Sequence, residues 1–296
     1  MVAAGALLGV QARVNGALGV GMHSALLASL VSFAGGTALL AVIVTARAGS
    51  RAGLARLRSG PTRWYYWLGG LAGGLVVASS AAGAPRIGVS LVSVCLVAGT
   101  TAGALLVDRV GLGPGGHQPV TRRRLAGAAL AVAAVGLGAI GRPARAGQPL
   151  LFIAIVAAGF ASAGQQAVNG QLRRVADDVA VAALISFAVG LAGLAAVAVA
   201  AAAAGALPRP SWPGTWWFYT GGLYGAVYIA AAAAAVRRLG VLRISLATVG
   251  GQLAGSVLLD LVFPEPRAPL TAVAGVGVVL TLIAVAVAST RRAVAV

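Results

Sequence analysis

Long uncharged stretches constrain this chain more than any other feature. Ser24–Ala46, Trp64–Pro85, Ile87–Val107, Ala146–Leu172 and Val179–Pro208 contain no charged residue. Each reaches the roughly 20 residues that a helix needs to cross about 30 Å of hydrocarbon. The same scan finds Leu125–Gly141, Pro210–Val236, Ile244–Leu259 (lengthening to start near Leu239) and Ala268–Thr290. With a first segment from Val2 to about Leu18, ten spans are expected, numbered here in chain order. The runs are continuously apolar rather than alternating, which excludes a β-barrel. The predicted fold class is therefore an all-α polytopic membrane protein.

Charge supports this and excludes other classes. Only 9% of residues are charged against 59% hydrophobic, with mean hydropathy +0.95, where a soluble domain carries about a quarter charged. The net charge of +17 comes from 22 basic residues, every one an arginine, against 5 acids. In a soluble domain that balance would suggest nucleic acid. Here the arginines lie between apolar spans, so they read as topology signals and lipid-headgroup contacts, with no nucleic-acid partner. The lone cysteine, Cys95, falls inside a span, so there is no disulfide framework. The first segment lacks a signal peptide's basic start and cleavage site and is expected to stay attached as span 1.

The chain repeats itself. A shift of 154 places Gln11–Leu18 (QARVNGAL) on Gln165–Leu172 (QQAVNGQL), and Ser32, Phe33 and Gly36 on Ser186, Phe187 and Gly190. Across positions 9–40, 13 of 32 residues are identical without a gap. A shift of 152 places Trp64–Gly74 on Trp216–Ala226 and Asp108 on Asp260. Residues 1–145 and 146–296 thus read as two five-span repeats. Five is odd, so the second repeat enters from the opposite face.

The arginines test that inversion independently. Basic segments follow spans 2 and 4 in the first half (Arg47, Arg51, Arg56, Arg58, Arg63; Arg109, Arg122, Arg123, Arg124). In the second half they follow spans 6, 8 and 10 (Arg173, Arg174; Arg237, Arg238, Arg243; Arg291, Arg292). With these inside, only Arg86, Arg142, Arg145, Arg209 and Arg267 lie outside, and the positive-inside rule puts both termini in the cytoplasm of a bacterial inner-membrane protein. By the repeat, span 1 is about six residues, or about 9 Å, shorter than span 6. That predicts a truncated or misassigned start, or a thinned and tilted first helix.

Gln-x-x-x-Asn-Gly in spans 1 and 6, Ser-Phe-x-x-Gly in spans 2 and 7, and glycine-rich packing in spans 3 and 8 resemble the drug/metabolite transporter superfamily, in its YdcZ-like branch. The resemblance covers nearly the whole chain. It implies transport by a fused pair of units that once paired antiparallel; it names no substrate. The related small multidrug-resistance proteins use a membrane-embedded glutamate in their first helix. Here Gln11 and Asn15 are the polar candidates and no acid lies in a span interior, which weighs against proton-coupled export of cations. Thr100 stands where Gln252 stands in the other repeat, so the site is expected to be asymmetric.

Gln11 and Asn15, four residues apart, share a helix face, as do Gln165 and Asn169. With Gln166, Ser32 and Ser186 they read as half-sites along a substrate path between the repeats. The competing readings are a structural clamp of interhelical hydrogen bonds and, for Asn15 and Asn169, a helix-ending Asn-Gly signal. Arg13, whose partner is Ala167, reads as a functional charge or as a snorkelling side chain. Asp108 and Asp260 sit at matching helix ends, where the dipole disfavours acids, and read as solvated caps beside arginines. Tyr224 and Tyr228 share a face beside Gly221 and Gly225, as packing residues or as walls of a slot that Gln252 would join. Trp64, Trp67, Trp212, Trp216 and Trp217 read as interfacial anchors.

Gly111-x-Gly113-x-x-Gly116 follows a span, contains Pro114 and opens no βαβ unit, so it is no dinucleotide site. His23 and His117 lie in different loops without a third ligand, so neither metal nor cofactor is expected. No Walker A sequence is present, and no nucleophile–base pair indicates an enzyme. The expected function is a secondary transporter or facilitator for a small organic metabolite or drug-like molecule. Its partners would be that small-molecule substrate and the lipid bilayer, and a homodimer is left open. A non-transporting scaffold or regulator on the same fold is the alternative.

Overall fold

The computed structural model describes residues 2–139, 147–228, 231, 241–264 and 272–289. Among them every regular element is helical and there is no strand. The helices are α1 (Val2–Gly21), α2 (Ala25–Ala46), α3 (Ala48–Ser59), α4 (Gly69–Ile87), α5 (Val89–Val110), α6 (Arg122–Ala139), α7 (Gln148–Ala176) and α8 (Val179–Ala203). They continue with α9, helical over 221–228, α10 (Val241–Val262) and α11 (Ala272–Ser289). Ala25–Ala46, Trp64–Ile87, Val89–Val110, Gln148–Ala176 and Val179–Ala203 are each long and apolar enough to cross a bilayer; Thr248–Val262 and Gly275–Val287 are shorter apolar helices. Met1, the far part of span 8, the 145/146 boundary, and Arg142, Arg145, Arg237, Arg238, Arg267, Arg291 and Arg292 lie outside the described residues. Large apolar side chains such as Val42, Leu150 and Val199 face outward, a surface that lipid rather than water would cover. Four of the five tryptophans are exposed on that surface, whereas Trp67 is half-buried against a core cluster.

The repeat builds matching local structure. His23 and Asp177, one shift of 154 apart, both take a left-handed conformation (φ 55° and 52°). The next residue caps the following helix: Ser24 Oγ accepts from Leu27 N–H at 3.2 Å, and Asp178 Oδ1 from Val181 N–H at 3.0 Å. One difference breaks the symmetry. The basic segment after span 2, expected as a loop, is the helix α3. Ser50, Gly53 and Leu57 fall on one buried face at i, i+3 and i+7. Ser50 Oγ donates to Asp178 Oδ2 at 2.9 Å. Arg56 donates twice to the Ala176 carbonyl at the end of α7 (3.0 and 2.6 Å), where a cation complements the helix dipole.

The two halves share their core. One cluster joins Val44, Leu57 and Tyr66 to Leu172, Val181 and Ile185; another joins Ile87, Val92 and Cys95 to Ile155, Leu253 and Val278. The contacts are also reciprocal. Phe33 and Phe187 stack with centroids 5.0 Å apart, Phe33 lying against Gly190 and Phe187 against Gly36, so α2 and α8 run antiparallel. A Cβ on Gly70 of α4 would lie 2.0 Å from the Ser186 carbonyl oxygen, and one on Gly222 of α9 would lie 2.2 Å from that of Ser32. Such return of the same contact is what a two-fold relation produces. Helices in lipid gain little from hydrophobic exclusion, so these backbone approaches supply the attraction.

That geometry gives glycines in one protein opposite sensitivities. Gly70→Ala meets backbone and is expected to cost about 1–3 kcal/mol. Gly35, with nothing within 4 Å of its would-be Cβ, should tolerate alanine or gain up to about 1 kcal/mol of helix propensity. Thermal unfolding of both purified variants in detergent measures this, and equal effects would refute the packing account.

Candidate functional site

One polar arrangement occurs twice where the halves interlock. On α7, Gln165 Nε2 and Asn169 Nδ2 both donate to Ser186 Oγ of α8, at 2.9 and 3.2 Å. Gly69 and Gly73 of α4 lie over them: a Cβ at Gly73 would be 2.6 Å from Gln165 Nε2, and one at Gly69 would be 2.9 Å from Asn169 Oδ1. In the other copy Gln11 and Asn15 of α1 meet Ser32 of α2 under Gly221 and Gly225 of α9. A Cβ at Gly221 would be 1.9 Å from Asn15 Oδ1 and 3.0 Å from Ser32 Oγ; one at Gly225 would be 3.1 Å from Gln11 Nε2. The residues singled out by their spacing are thus brought together with the serines. Both asparagines lie inside their helices, which corrects the helix-ending reading of Asn-Gly. In an apolar medium the backbone keeps its own hydrogen bonds and the helix runs on.

The copies differ in exposure. Gln11, Asn15 and Ser32 are 8%, 1% and 1% exposed, whereas Gln165 and Asn169 are half-buried and Gln166 is exposed. Asn15 Oδ1, Ser32 Oγ and Asn169 Oδ1 are buried without a hydrogen-bond partner among the described residues. Each such group costs about 1–3 kcal/mol relative to a satisfied one. The polar capacity here exceeds what the fold consumes.

A cavity of about 240 Å³ lies between α5, α7 and the connection after α5, and of the α7 amides Gln166 lines it while Gln165 and Asn169 face α4 and α8. Its polar lining is Thr100, Asp108, Gln118 and Gln166. Thr100 Oγ1 donates to the Gly159 carbonyl at 3.0 Å. The rejected Gly111–Gly116 motif forms the cavity's rim, with left-handed turns at Gly111 and Gly116 (φ 68° and 67°) and Pro114 packed on Gly170. Gln171 Nε2 holds this rim through the Leu112 carbonyl at 3.0 Å. Asp108 is ion-paired with Arg124 of α6. Gln118 was not among the sequence candidates, and Thr100 entered only as the counterpart of Gln252; a lone polar residue in a connection carries no pattern.

Asp260 departs most from expectation. It is 4% exposed, not a solvated cap. Its carboxylate accepts from Val89 N–H at 3.0 Å, from Ser90 N–H at 2.8 Å and from the Ser90 hydroxyl. The dipole of its own helix opposes an acid there, but the antiparallel α5 presents its N-terminus to the same point. Gly88, at φ 83° and ψ 155°, breaks the chain between α4 and α5 and so frees those amides, a conformation open to glycine. Close by, Ser93 and Ser256 hydroxyls are 2.7 Å apart. The Arg13 guanidinium lies over the Phe263 ring, 5.1 Å from its centroid, just beyond this end of α10.

Tyr224, Tyr228 and Gln252 are half-buried. Tyr228 sits beside Thr248, whose carbonyl meets α1 at Gly5, where the Gln252 backbone also packs. They border the Gln11 copy rather than the cavity.

The two aspartates should differ in worth. Asp260→Ala leaves two buried amides and a hydroxyl unpaired and is expected to cost about 3 kcal/mol. Asp108→Ala removes a partly exposed pair and should cost under about 1 kcal/mol. Thermal shifts of the two purified variants decide it; a reversed order would refute the capping role.

The comparisons agree with the motifs. The family model described as "Putative inner membrane exporter, YdcZ" matches residues 1–137 and 150–287. No curated protein matches the chain. The match spans well over half of the sequence, and the chain therefore belongs to this YdcZ family of inner-membrane drug/metabolite transporters.

Proposed function

We propose that the chain is a secondary transporter that exports a small organic molecule by alternating access between two inverted five-helix halves, residues 1–145 and 146–296. It would have ten spans and both termini in the cytoplasm. The observation that carries this reading is the duplicated amide–serine arrangement, buried in one copy and half-buried in the other, whose neighbour Gln166 lines a cavity. A site lined by both halves, reached from one face at a time, needs that difference. With the arginine-rich loops inside, the cavity beside Asp108 and Arg124 opens to the cytoplasm and the Gln11 copy is closed toward the outside. The described state is then inward-facing.

Gln11, Asn15, Ser32, Gln165, Gln166, Asn169 and Ser186 form the path, with Tyr224, Tyr228 and Gln252 flanking it on α9 and α10. Amides and hydroxyls, with one acid already paired to Arg124, suit a neutral, zwitterionic or anionic substrate. The unpartnered oxygens of Asn15, Ser32 and Asn169 accept hydrogen bonds from a substrate's N–H or O–H groups. A bound molecule would thus satisfy groups that are costly to leave bare.

Topology is testable on the native background, because Cys95 is fully buried. Cysteines at Ser59 and Arg174 should react only from the cytoplasm and one at Ser211 only from outside; labelling of 59 and 211 from one face would refute inversion.

Transport is tested by uptake into proteoliposomes across a metabolite panel, with Gln11→Leu and Gln165→Leu compared per folded molecule. Both variants should abolish transport with nearly unchanged stability, since an interhelical hydrogen bond in lipid contributes only about 0.6–2 kcal/mol. The helix 1 variant should impair mainly the outward-facing state and the α7 variant mainly the inward-facing one. Transport that falls only in step with protein yield would instead favour a structural clamp, and a complete absence of transport by the parent would favour a scaffold.

A further inference from the structure

The arginines of α3 are ordered by the helix that carries them. Arg47 alone separates α2 from α3, its extended backbone (φ −100°, ψ 119°) turning the chain out of the span. The buried face of α3 lies across the turn between α7 and α8: a Cβ on Gly53 would be 2.8 Å from the Ala176 carbonyl oxygen and 3.2 Å from Asp178 Cβ. The end of α2, the end of α7 and the start of α8 thus meet α3 at one end of the bundle, where apolar helices leave the bilayer. Trp64, 76% exposed just beyond α3, suits that boundary. Arg51 and Arg58 are seven residues apart and share a face of α3, and Arg47, four before Arg51, leads into the same stripe. All three are exposed, roughly a third of a turn around the helix from Ser50, Gly53 and Leu57. None of them meets an acid among the described residues; Asp178 is already bonded to Ser50 and to the Val181 amide. Arg51 donates through Nη1 to the Thr45 carbonyl at 2.5 Å, which leaves its other four N–H groups. A topology signal needs only arginines near a span, in any register. Arg122, Arg123 and Arg124 are of that kind: consecutive, they sit about 100° apart around α6 and make no stripe.

We propose that α3 is a brace that binds anionic lipid. Arg47, Arg51 and Arg58 take the phosphodiester groups of acidic phospholipids such as phosphatidylglycerol, and the bound lipid holds α3 against the α7–α8 turn. A guanidinium fork matches phosphate oxygens in bidentate hydrogen bonds, and each arginine at an acidic bilayer surface strengthens binding about five-fold. A zwitterionic lipid presents the same phosphate beside a cation and so lacks the net charge that attracts the stripe. The consequence for the protein follows from what the other side of α3 holds. Arg56 fastens the Ala176 carbonyl and Ser50 fastens Asp178, so one short helix joins the lipid to the end of α7 and the start of α8. The second half has no such helix: residues 204–215 are irregular and carry Arg209 alone. Membrane composition therefore acts on one end of the bundle through α3, whether or not the protein moves a substrate.

Thermal unfolding of the full purified chain in a neutral detergent, titrated with short-chain phosphatidylglycerol or phosphatidylcholine, tests this. Phosphatidylglycerol should raise the melting temperature saturably, less so at high salt, and phosphatidylcholine should not. Arg47→Gln/Arg51→Gln/Arg58→Gln should bind phosphatidylglycerol at least about ten-fold more weakly. Arg122→Gln/Arg123→Gln, which removes charge elsewhere, should respond as the parent does. Replacing the same three arginines by lysine keeps the charge without the fork and should recover only part of the affinity. Phosphatidylglycerol should also slow amide exchange across the α7–α8 turn in the parent and leave it unchanged in the glutamine variant. Should the triple variant fail to fold, Arg58→Gln alone carries the test, with an expected loss of about five-fold. A glutamine variant that responds to phosphatidylglycerol like the parent, even at a lower melting temperature, would make the stripe merely structural and overturn the proposal. An equal loss in the Arg122/Arg123 variant, or an equal rise with phosphatidylcholine, would overturn it as well. The same rise with glycerol 1-phosphate would assign the stripe to a soluble phosphate and remove the lipid.

Discussion

The closest approaches between the halves are backbone to backbone. The Gly70 and Gly222 α-carbons press on the carbonyls of Ser186 and Ser32, and the rest of the bundle is arranged around those contacts. In a bilayer apolar surface gains little by leaving lipid for protein, so helices associate through close packing and the few polar groups they can pair. A glycine face lets α4 sink into α7 and α8 of the other half, and α9 makes the equivalent contacts on α1 and α2. Those same glycines cover the amide–serine groups. The interaction that assembles the halves therefore also walls the candidate path, and a change in that packing is a change in access to the amides.

Polar groups are few enough here that each can be assigned a job. Four serve as helix caps: Ser24, Thr121, Asp178 and Asp260. Asp178 also anchors α3 through Ser50. The amide oxygens of Asn15 and Asn169 and the hydroxyl of Ser32 remain without a partner among the described residues. A fold selected only for stability would replace them with alanine at little cost, since removing both partners of a hydrogen bond is close to neutral. Two of them in one copy and one in the other leave acceptors that suit the ligand path proposed above.

Much of this was legible in the sequence because it depends on periodicity and repetition. Apolar run length gave the long helices, and the shift of 154 paired Phe33 with Phe187 and the two amide sets, residues whose mutual contacts only the fold reveals. The failures have a common cause. Asp260 read as a solvated cap because its own helix was considered alone; its burial depends on the N-terminus of α5, 170 positions away in sequence from Ser90. The helix α3 was hidden by its arginines, since its buried face consists of Ser50, Gly53 and Leu57, too small and polar to register as an apolar stripe. Helix ends at Asn15 and Asn169 were weighed from a dipeptide preference that water-exposed helices obey and lipid overrides. Local signals were read correctly where the medium was the only partner and missed where another helix was.

Asymmetry between the halves has a physical role of its own. Under the proposed alternating access, two identical inverted repeats would make the inward- and outward-facing states equivalent by a two-fold rotation and equal in free energy, with no resting preference. This chain differs between its halves at most positions, and three of those differences change how its helices are held. Only the first half carries α3, which fastens the end of α7 through Arg56 and the start of α8 through Ser50 and Asp178. The corresponding connection of the second half, residues 204–215, has no helix; there Ser211 bonds the Gly21 carbonyl. Arg124 receives Asp108, whereas α11, the counterpart of α6, carries no arginine. Arg56 and Ser50 thus hold the end of α7 and the start of α8, and Arg124 holds Asp108 at the cavity wall. Under the proposed alternating access, the divergence of the repeats, rather than their symmetry, would set which face the empty protein presents.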